Sequence, residues 1–92
     1  MGRAEKHVEG GKLIRAYAEA VGGRLVSVTI TGDFFAFPEE AVEELEKFLV
    51  GVSLKEDEIK SAVQEFLRRR GVVLAGVSAS DIAEVVYRAA SN

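Results

Sequence analysis

Cysteine is absent from the 92 residues of the sequence, and its absence excludes several kinds of site at once. A chain without thiols forms no disulfide framework, no thiolate nucleophile, no iron–sulfur site and no cysteine-based zinc site. A reducing compartment fits this composition, and we expect a cytoplasmic protein.

Imidazole is nearly as scarce, since His7 is the one histidine of the sequence. With no second imidazole, neither a histidine metal site nor a Ser-His-Asp arrangement has a candidate geometry. We therefore expect His7 to be a solvated residue of a polar lead-in, and we predict no catalytic or metal-ligating residue.

Two further absences limit the partners of the protein. No stretch approaches the roughly 20 apolar residues that a membrane helix needs, and no apolar signal core follows the N-terminus. The 12 basic and 15 acidic residues are mixed along the chain, with a formal net charge of -3, so no sustained positive field attracts a phosphate backbone. We expect a soluble protein that binds neither membrane nor nucleic acid.

The residues that are present have the composition of a folded globule, with 48% apolar residues, 29% charged residues and a single proline. A chain of this length suits one domain with a modest core. We divide it into a polar N-terminal lead-in over residues 1–9 and a folded domain over residues 10–92.

A β-hairpin is the clearest local pattern. Apolar and polar residues alternate from Lys12 to Ala20, as they do on a half-buried strand. Gly22-Gly23 supplies the positive φ angles of a tight turn, and a second strand is predicted from Arg24 to Thr31. The residues predicted to share the apolar face of the first strand are Ile14, Ala16 and Ala18. Those predicted to share one face of the second are Val26, Val28 and Ile30.

Three helices are predicted after the hairpin. Proline followed by acidic residues suits the first turn of a helix over Pro38–Val50. Ser53 and Glu56 match a capping box, which predicts the start of a second helix that ends at Gly71. The segment Ser78–Asp81 opens a third helix that continues to the end of the chain.

The hairpin needs a further strand, because two strands alone are only marginally stable. An N-terminal strand from Glu5 to Gly10, the apolar segment Val72–Leu74 or a partner protein would supply it. The sequence leaves these alternatives open, and with them the question of whether Val72–Leu74 is a strand. Segregated strands and helices indicate an α+β fold, with a small antiparallel sheet built on a β-hairpin and three helices packed on one face.

Two glycine-containing turns flank the hairpin. Gly10-Gly11-Lys12 lacks the spacing of a phosphate-binding P-loop, and a turn entering a strand is its simplest interpretation. Gly32-Asp33-Phe34-Phe35 also has a structural interpretation, in which the glycine turns the backbone, the aspartate bonds nearby amides and both phenylalanines pack under the helices. On residue chemistry alone, the chain is a compact interaction module.

The order of these motifs resembles the C-terminal accessory domain of lipoate-protein ligases. The matching segments are Gly10–Ala16, the Gly22-Gly23 turn, Thr29–Phe35 and Pro38-Glu39-Glu40. The later segments Leu49-Val50-Gly51 and Gly76-Val77-Ser78 also lie where that domain has comparable turns. The likeness covers nearly all of Gly10–Ala90. The fold that the family implies also resembles the SufE/NifU-like fold of sulfur-acceptor and iron–sulfur scaffold proteins, which use cysteine. Because the domain stands alone here, the chain is similar to the separate small subunit of two-part ligases found notably in archaea.

The resemblance implies a heterodimer with a large catalytic subunit. The assembled ligase uses ATP and Mg²⁺ to convert lipoate to lipoyl-AMP, and then acylates a lysine of a lipoyl domain or of the glycine-cleavage H protein. The small subunit is expected to be required for the adenylation step and to bind no cofactor of its own. Lys12 is expected near the nucleotide, where it offsets negative charge. The residues expected to form the partner interface are Gly10, Gly11, Gly32, Asp33, Phe34 and Phe35.

Two other functions compete with this interpretation. A stand-alone α+β regulatory module that recognises a protein or a metabolite, with no ligase role, would share the composition and the fold. A complete small enzyme is disfavoured, because no nucleophile, base and orienting group can be assembled from the sequence.

Overall fold

The computed structural model describes residues 2–10 and 12–92, over which the chain forms five strands and three helices. Gly11, which is predicted for the partner interface, lies outside the described residues. The elements in chain order are β1 Gly2–Val8, β2 Lys12–Val21, β3 Arg24–Gly32, β4 Phe35–Phe37, α1 Ala41–Leu49, α2 Glu56–Arg70, β5 Val73–Ala75 and α3 Ala79–Ala90.

The predicted hairpin is confirmed as β2 and β3, which are antiparallel and joined through Gly22 and Gly23 with φ angles of 61° and 78°. The alternation of β2 is also confirmed, since all three residues of its predicted apolar face are buried. The strand that completes the sheet is β1, which pairs with β2 along its whole length. The sheet order is therefore β1-β2-β3.

Residues 2–8, which lie in the polar lead-in predicted over residues 1–9, thus form a strand of the fold. An N-terminal strand was one of the alternatives left open, but it was expected from Glu5 to Gly10 and begins at Gly2 instead. Arg3, Glu5 and His7 gave the segment its polar appearance, but they alternate with residues on the side that helix α3 covers. Two of these residues, Gly2 and Ala4, are small, and a third, Lys6, forms an ion pair with α3. Ala4 is buried there, and a Cβ built on Gly2 would lie 1.6 Å from the Ala89 carbonyl oxygen. Small residues let the strand and the helix approach closely.

One face of β3 is also assigned incorrectly from the sequence. The pairing of β2 with β3 shifts between Glu19 and Ala20, and the resulting bulge reverses the alternation at the start of β3. Leu25 is therefore fully buried, whereas Val26 is 47% exposed. From Val28 onward the predicted face is confirmed, with Val28 and Ile30 in the core.

The three helices pack on one face of this sheet, as predicted for the α+β fold. Helix α3 crosses β1 and β2, α1 lies against β3, and α2 packs on the other two helices. Between these layers lies a single apolar core, whose largest fully buried side chains are Ile14, Leu25, Leu49, Ile59, Ile82, Val63, Val85 and Val86. In the part of the chain that the structure describes, no helix is long and apolar enough to cross a membrane.

The starts of the first two helices differ from prediction. Helix α1 begins at Ala41, because the chain stays extended through Phe37 and then turns, with the Ala41 N–H donating to the Pro38 carbonyl at 3.1 Å. Helix α2 has no capping box: Ser53 forms a β-bridge with Arg24 instead. Backbone hydrogen bonds to the hairpin, such as that from the Leu54 N–H to the Gly23 carbonyl at 2.8 Å, hold the segment before α2 in place.

The other helix boundaries follow the sequence. Gly71 ends α2 in the left-handed conformation, with a φ angle of 71°. At the start of α3, the Ser78 hydroxyl accepts from the Asp81 N–H and the Asp81 carboxylate accepts from the Ser78 N–H, which completes a capping box. Residues at or next to each boundary therefore determine where α2 ends and where α3 begins.

The open question about Val72–Leu74 is settled by a second, smaller sheet. Strand β5 pairs antiparallel with β4, so that Phe37 lies opposite Val73, Ala36 opposite Leu74 and Phe35 opposite Ala75. We call this two-stranded element the ribbon. It stands apart from the hairpin sheet and follows directly on the loop after β3.

Candidate functional site

The two turns that flank the hairpin lie beside each other in the structure. Strand β2 begins at Lys12 and β3 ends at Gly32, and because the strands are antiparallel these two ends meet. Ile14 pairs with Gly32, and the Asp33 N–H donates to the Leu13 carbonyl at 2.9 Å. The antiparallel register therefore brings the two motifs together at one end of the sheet.

Between the two turns lies an open cleft of about 480 Å³. Its lining residues are Gly10, Lys12, Gly32, Asp33, Phe34 and Phe35. Every described residue that the sequence singles out as a candidate thus borders one concave surface. The roles assigned to these residues stay predictions.

Lys12 contributes the positive charge of the cleft. Its ammonium nitrogen lies 5.9 Å from the centroid of the Phe35 ring, a distance at which a cation and a ring quadrupole attract each other. Lys12 makes no ion pair with the described residues. Held over an aromatic ring without a carboxylate partner, the ammonium group remains available to an external anion.

Gly76, which precedes α3, makes room for the stem of Lys12. A Cβ built on Gly76 would lie 3.3 Å from Lys12 Cγ and 3.6 Å from both Cδ and Cε. The lysine stem therefore packs over backbone, and a side chain at position 76 would have to push it aside. Sequence reasoning missed this contact, because the only signal was a glycine before a helix.

Gly32 is required by the geometry of the cleft floor. Its φ angle is 153°, and a Cβ built there would lie 2.2 Å from the Leu13 carbonyl oxygen. Only glycine permits this approach of the two strand ends. The predicted turn at Gly32 is therefore a close backbone contact as well.

The two phenylalanines of the second motif separate. Phe34 is half-buried and lines a narrow apolar cavity of about 10 Å³ beneath the ribbon, whereas Phe35 is 60% exposed. The structural interpretation, in which both rings pack under the helices, is correct for Phe34 only. Asp33 is exposed, and its carboxylate accepts no hydrogen bond from the described residues.

The cleft lining thus offers one cation, one carboxylate and one exposed ring, and no hydroxyl, thiol or imidazole among its described residues. These groups suit binding and orientation of an anion or of a protein surface rather than bond cleavage. Two neighbours that the sequence did not single out, Phe37 and Val73, extend the exposed apolar surface along the ribbon. The alternation of Phe35, Ala36 and Phe37 is the signal that could have revealed the first of them.

Comparison with known proteins identifies the family of this chain. A family model described as "Bacterial lipoate protein ligase C-terminus" matches residues 2–85 of the chain. The chain belongs to this family. The residues matched by the lipoate protein ligase C-terminal family model begin at the first residue of β1, so they include the edge strand as well as both motifs that border the cleft.

A relative within this family is known from Thermoplasma acidophilum. The chain is 34% identical to "Lipoate-protein ligase A subunit 2" over 74 residues, which span 80% of this chain and 76% of the relative. The solved structure of a bi-partite lipoate protein ligase and its E2 lipoyl domain from the same archaeon contains a similar chain. That likeness has a TM-score of 0.75 at 30% identity and covers 92% of this chain and 91% of the other. The predicted recognition and the predicted fold are both confirmed.

Proposed function

We propose that this chain is the accessory subunit of a two-part lipoate-protein ligase and is required for the ATP-dependent activation of lipoate to lipoyl-AMP. Its partner is a large catalytic subunit, with which it forms a heterodimer in the cytoplasm. The activated acyl group is then transferred to a lysine of a lipoyl domain or of the glycine-cleavage H protein. Family membership and the similarity to a ligase subunit support the partner.

One observation carries the proposed role in adenylation: the ammonium group of Lys12 stands without an ion-pair partner among the described residues, at the edge of an open cleft. A lysine in this position complements the charge of a triphosphate that the partner holds. In this proposal the large subunit binds ATP, Mg²⁺ and lipoate, and the present chain binds no cofactor by itself.

The chemistry of adenylation explains why a separate domain would be needed. A carboxylate oxygen of lipoate attacks the α-phosphorus of ATP, the bond from that phosphorus to the bridging oxygen breaks, and pyrophosphate leaves with the electron pair. Two anions must therefore be brought together in a site that excludes water. A subunit that closes over this site orients the reactants and brings one positive charge to the phosphates without acting as a nucleophile or a base.

The direct test combines the chain with the large subunit of the same ligase, ATP, Mg²⁺ and lipoate. Pyrophosphate release should depend on addition of the chain and saturate at an equimolar ratio. Release at the same rate without the chain would refute the accessory role. It would instead favour the stand-alone binding module, for which no ligase partner is needed.

Lys12→Ala should slow pyrophosphate release about tenfold or more at saturating chain concentration, because about 1.4 kcal/mol of lost transition-state stabilisation corresponds to a factor of ten. Binding to the large subunit should change less than the rate. Lys60→Ala is the matched control, since Lys60 is an exposed lysine on α2 and makes no ion pair with the described residues. A Lys12→Ala complex that forms lipoyl-AMP at the normal rate would eliminate the role proposed for the lysine.

A further inference from the structure

The ribbon exposes three large apolar side chains on its outer side. Phe35 is 60% exposed, Phe37 56% and Val73 64%. We call these three residues the ribbon face. Monomeric domains seldom present contiguous apolar surface of this kind unless a partner covers it.

The strand register explains why the three residues share one side. Phe37 lies directly opposite Val73, and Phe35 follows the same side of β4 at a spacing of two residues. Ala36 and Leu74 point the other way and line the apolar cavity beneath the ribbon. The ribbon is therefore apolar on both sides, although only its inner side contributes to packing within the chain.

The outward side of the hairpin sheet is built differently. Arg15 lies opposite Thr31 and Tyr17 opposite Thr29, on the side that no helix covers. Polar residues of this kind are what an antiparallel sheet presents to water. The ribbon differs in that three large exposed apolar side chains share one side of a single two-stranded element, and packing within the chain does not explain this grouping.

The ribbon face is continuous with the cleft, because Phe35 belongs to both. At this border lies the Lys12 ammonium, 5.9 Å from the Phe35 ring and without an ion-pair partner among the described residues. An apolar surface with one cation at its edge is complementary to an apolar surface with one anion at its edge.

We propose that the ribbon face is the docking surface for the large catalytic subunit, which meets Phe37 and Val73 with an apolar surface and presents an anionic group toward Lys12. This inference rests on the proposed function and specifies which face of the molecule contacts the large subunit. Docking on the ribbon places the cleft at the boundary between the subunits and leaves the helical side of the domain free. Aromatic side chains that are buried at the centre of an interface commonly dominate its affinity.

The test is a double variant, Phe37→Thr with Val73→Thr, which keeps strand-compatible residues while removing the apolar surface. Its affinity for the large subunit, measured by calorimetry, should fall about tenfold or more. Its circular dichroism and thermal unfolding should match those of the wild-type chain, because both side chains are exposed. At saturating concentration pyrophosphate release should recover, since Lys12 is intact.

A matched control changes exposed valines at the opposite end of the sheet. Val21 ends β2 and is 67% exposed, and Val50 follows α1 and is 50% exposed. The variant Val21→Thr with Val50→Thr should bind like the wild-type chain. If the wild-type chain binds and activates the large subunit but the ribbon variant binds equally well, this inference is overturned and the proposed function stands. If the wild-type chain neither binds nor activates, the proposed function fails and the inference fails with it.

Discussion

The hairpin sheet and the ribbon follow the same alternation of residues but place opposite chemistry outward. In the sheet, buried Ile14 alternates with outward Arg15, and the helices cover the apolar side. In the ribbon, the small residue Ala36 points inward between Phe35 and Phe37, which point outward. Packing within the chain explains the first pattern, and the proposed docking of the large subunit would explain the second.

The two regions also differ in how much they contribute to the core. The sheet has strands of seven, ten and nine residues whose inward side chains meet three helices. The ribbon has two strands of three residues each, and two-stranded elements have little stability of their own. Stability should therefore reside in the sheet and helices, and partner recognition in the ribbon.

The largest effect on stability is expected from Ile14→Ala, because Ile14 is fully buried on the central strand of the sheet. Its loss should lower the free energy of unfolding by about 3–4 kcal/mol. Leu74→Ala, the matched change on the inner side of the ribbon, removes a half-buried side chain and should have about half that effect. Urea denaturation of both variants measures the difference, and equal losses would break the distinction between the two regions.

A smaller effect is expected where the sheet leads into the ribbon. Gly32→Ala forces a Cβ toward the Leu13 carbonyl oxygen in a backbone conformation that L-residues rarely adopt, and it should destabilise the fold by about 2–3 kcal/mol. Gly71→Ala is the control, since Gly71 also has a positive φ angle but a Cβ there meets nothing within 4 Å. That control should lose only about 1 kcal/mol. Similar losses in both variants, measured by denaturation, would show that the close approach at Gly32 contributes little.

The features that the sequence predicts correctly are those decided by neighbouring residues. The Gly22-Gly23 turn needs two positive φ angles, and the Ser78 capping box needs groups only three residues apart. The features predicted incorrectly are decided by distant groups. Ser53 could have capped α2, but the Leu54 N–H donates to the Gly23 carbonyl at 2.8 Å and holds the segment against the hairpin.

The same distinction between neighbouring and distant residues applies to the candidate site. The order of the motifs singled out Lys12, Asp33 and the nearby glycines, although residue chemistry alone favoured ordinary turns. The described residues among them border one cleft, and their roles stay predictions. The alternation around Phe37 could have revealed part of the ribbon face, but not its pairing with Val73. Two helices separate these residues in the sequence, and only the strand register brings them opposite each other. The contact of Gly76 with Lys12 was missed for the same reason, since it depends on the path of the lysine stem.

The smallest predicted effect on stability concerns the β1 edge of the sheet, where Lys6 forms an ion pair with α3. The Lys6 ammonium lies 2.8 Å from an Asp81 carboxylate oxygen and 2.9 Å from a Glu84 carboxylate oxygen. Burial acts to raise the pKa of Asp81, but hydrogen bonds from Lys6 and Ser78 outweigh it and hold that pKa below its ordinary value of 3.8. The hydrogen bond to Asp81, aided by Glu84, raises the pKa of Lys6 above its ordinary 10.5.

These directions set the pH range over which the pair contributes to stability. A lowered carboxyl pKa stabilises the fold above 3.8, and that contribution disappears as pH falls through the folded-state pKa. The raised lysine pKa stabilises the fold below 10.5, and that contribution disappears as pH rises through the folded-state pKa. Asp81→Asn should therefore reduce the free energy of unfolding by about 1 kcal/mol near pH 7, and this difference should shrink in strong acid.

Asp57→Asn serves as the control for this variant, since Asp57 is an exposed aspartate in the first turn of α2 and makes no ion pair with the described residues. It should cost less than Asp81→Asn at pH 7. Affinity for the large subunit should be unchanged in both variants, because neither residue belongs to the ribbon face. An Asp81→Asn variant whose stability deficit persists undiminished in strong acid would show that the carboxylate charge is not what joins β1 to α3.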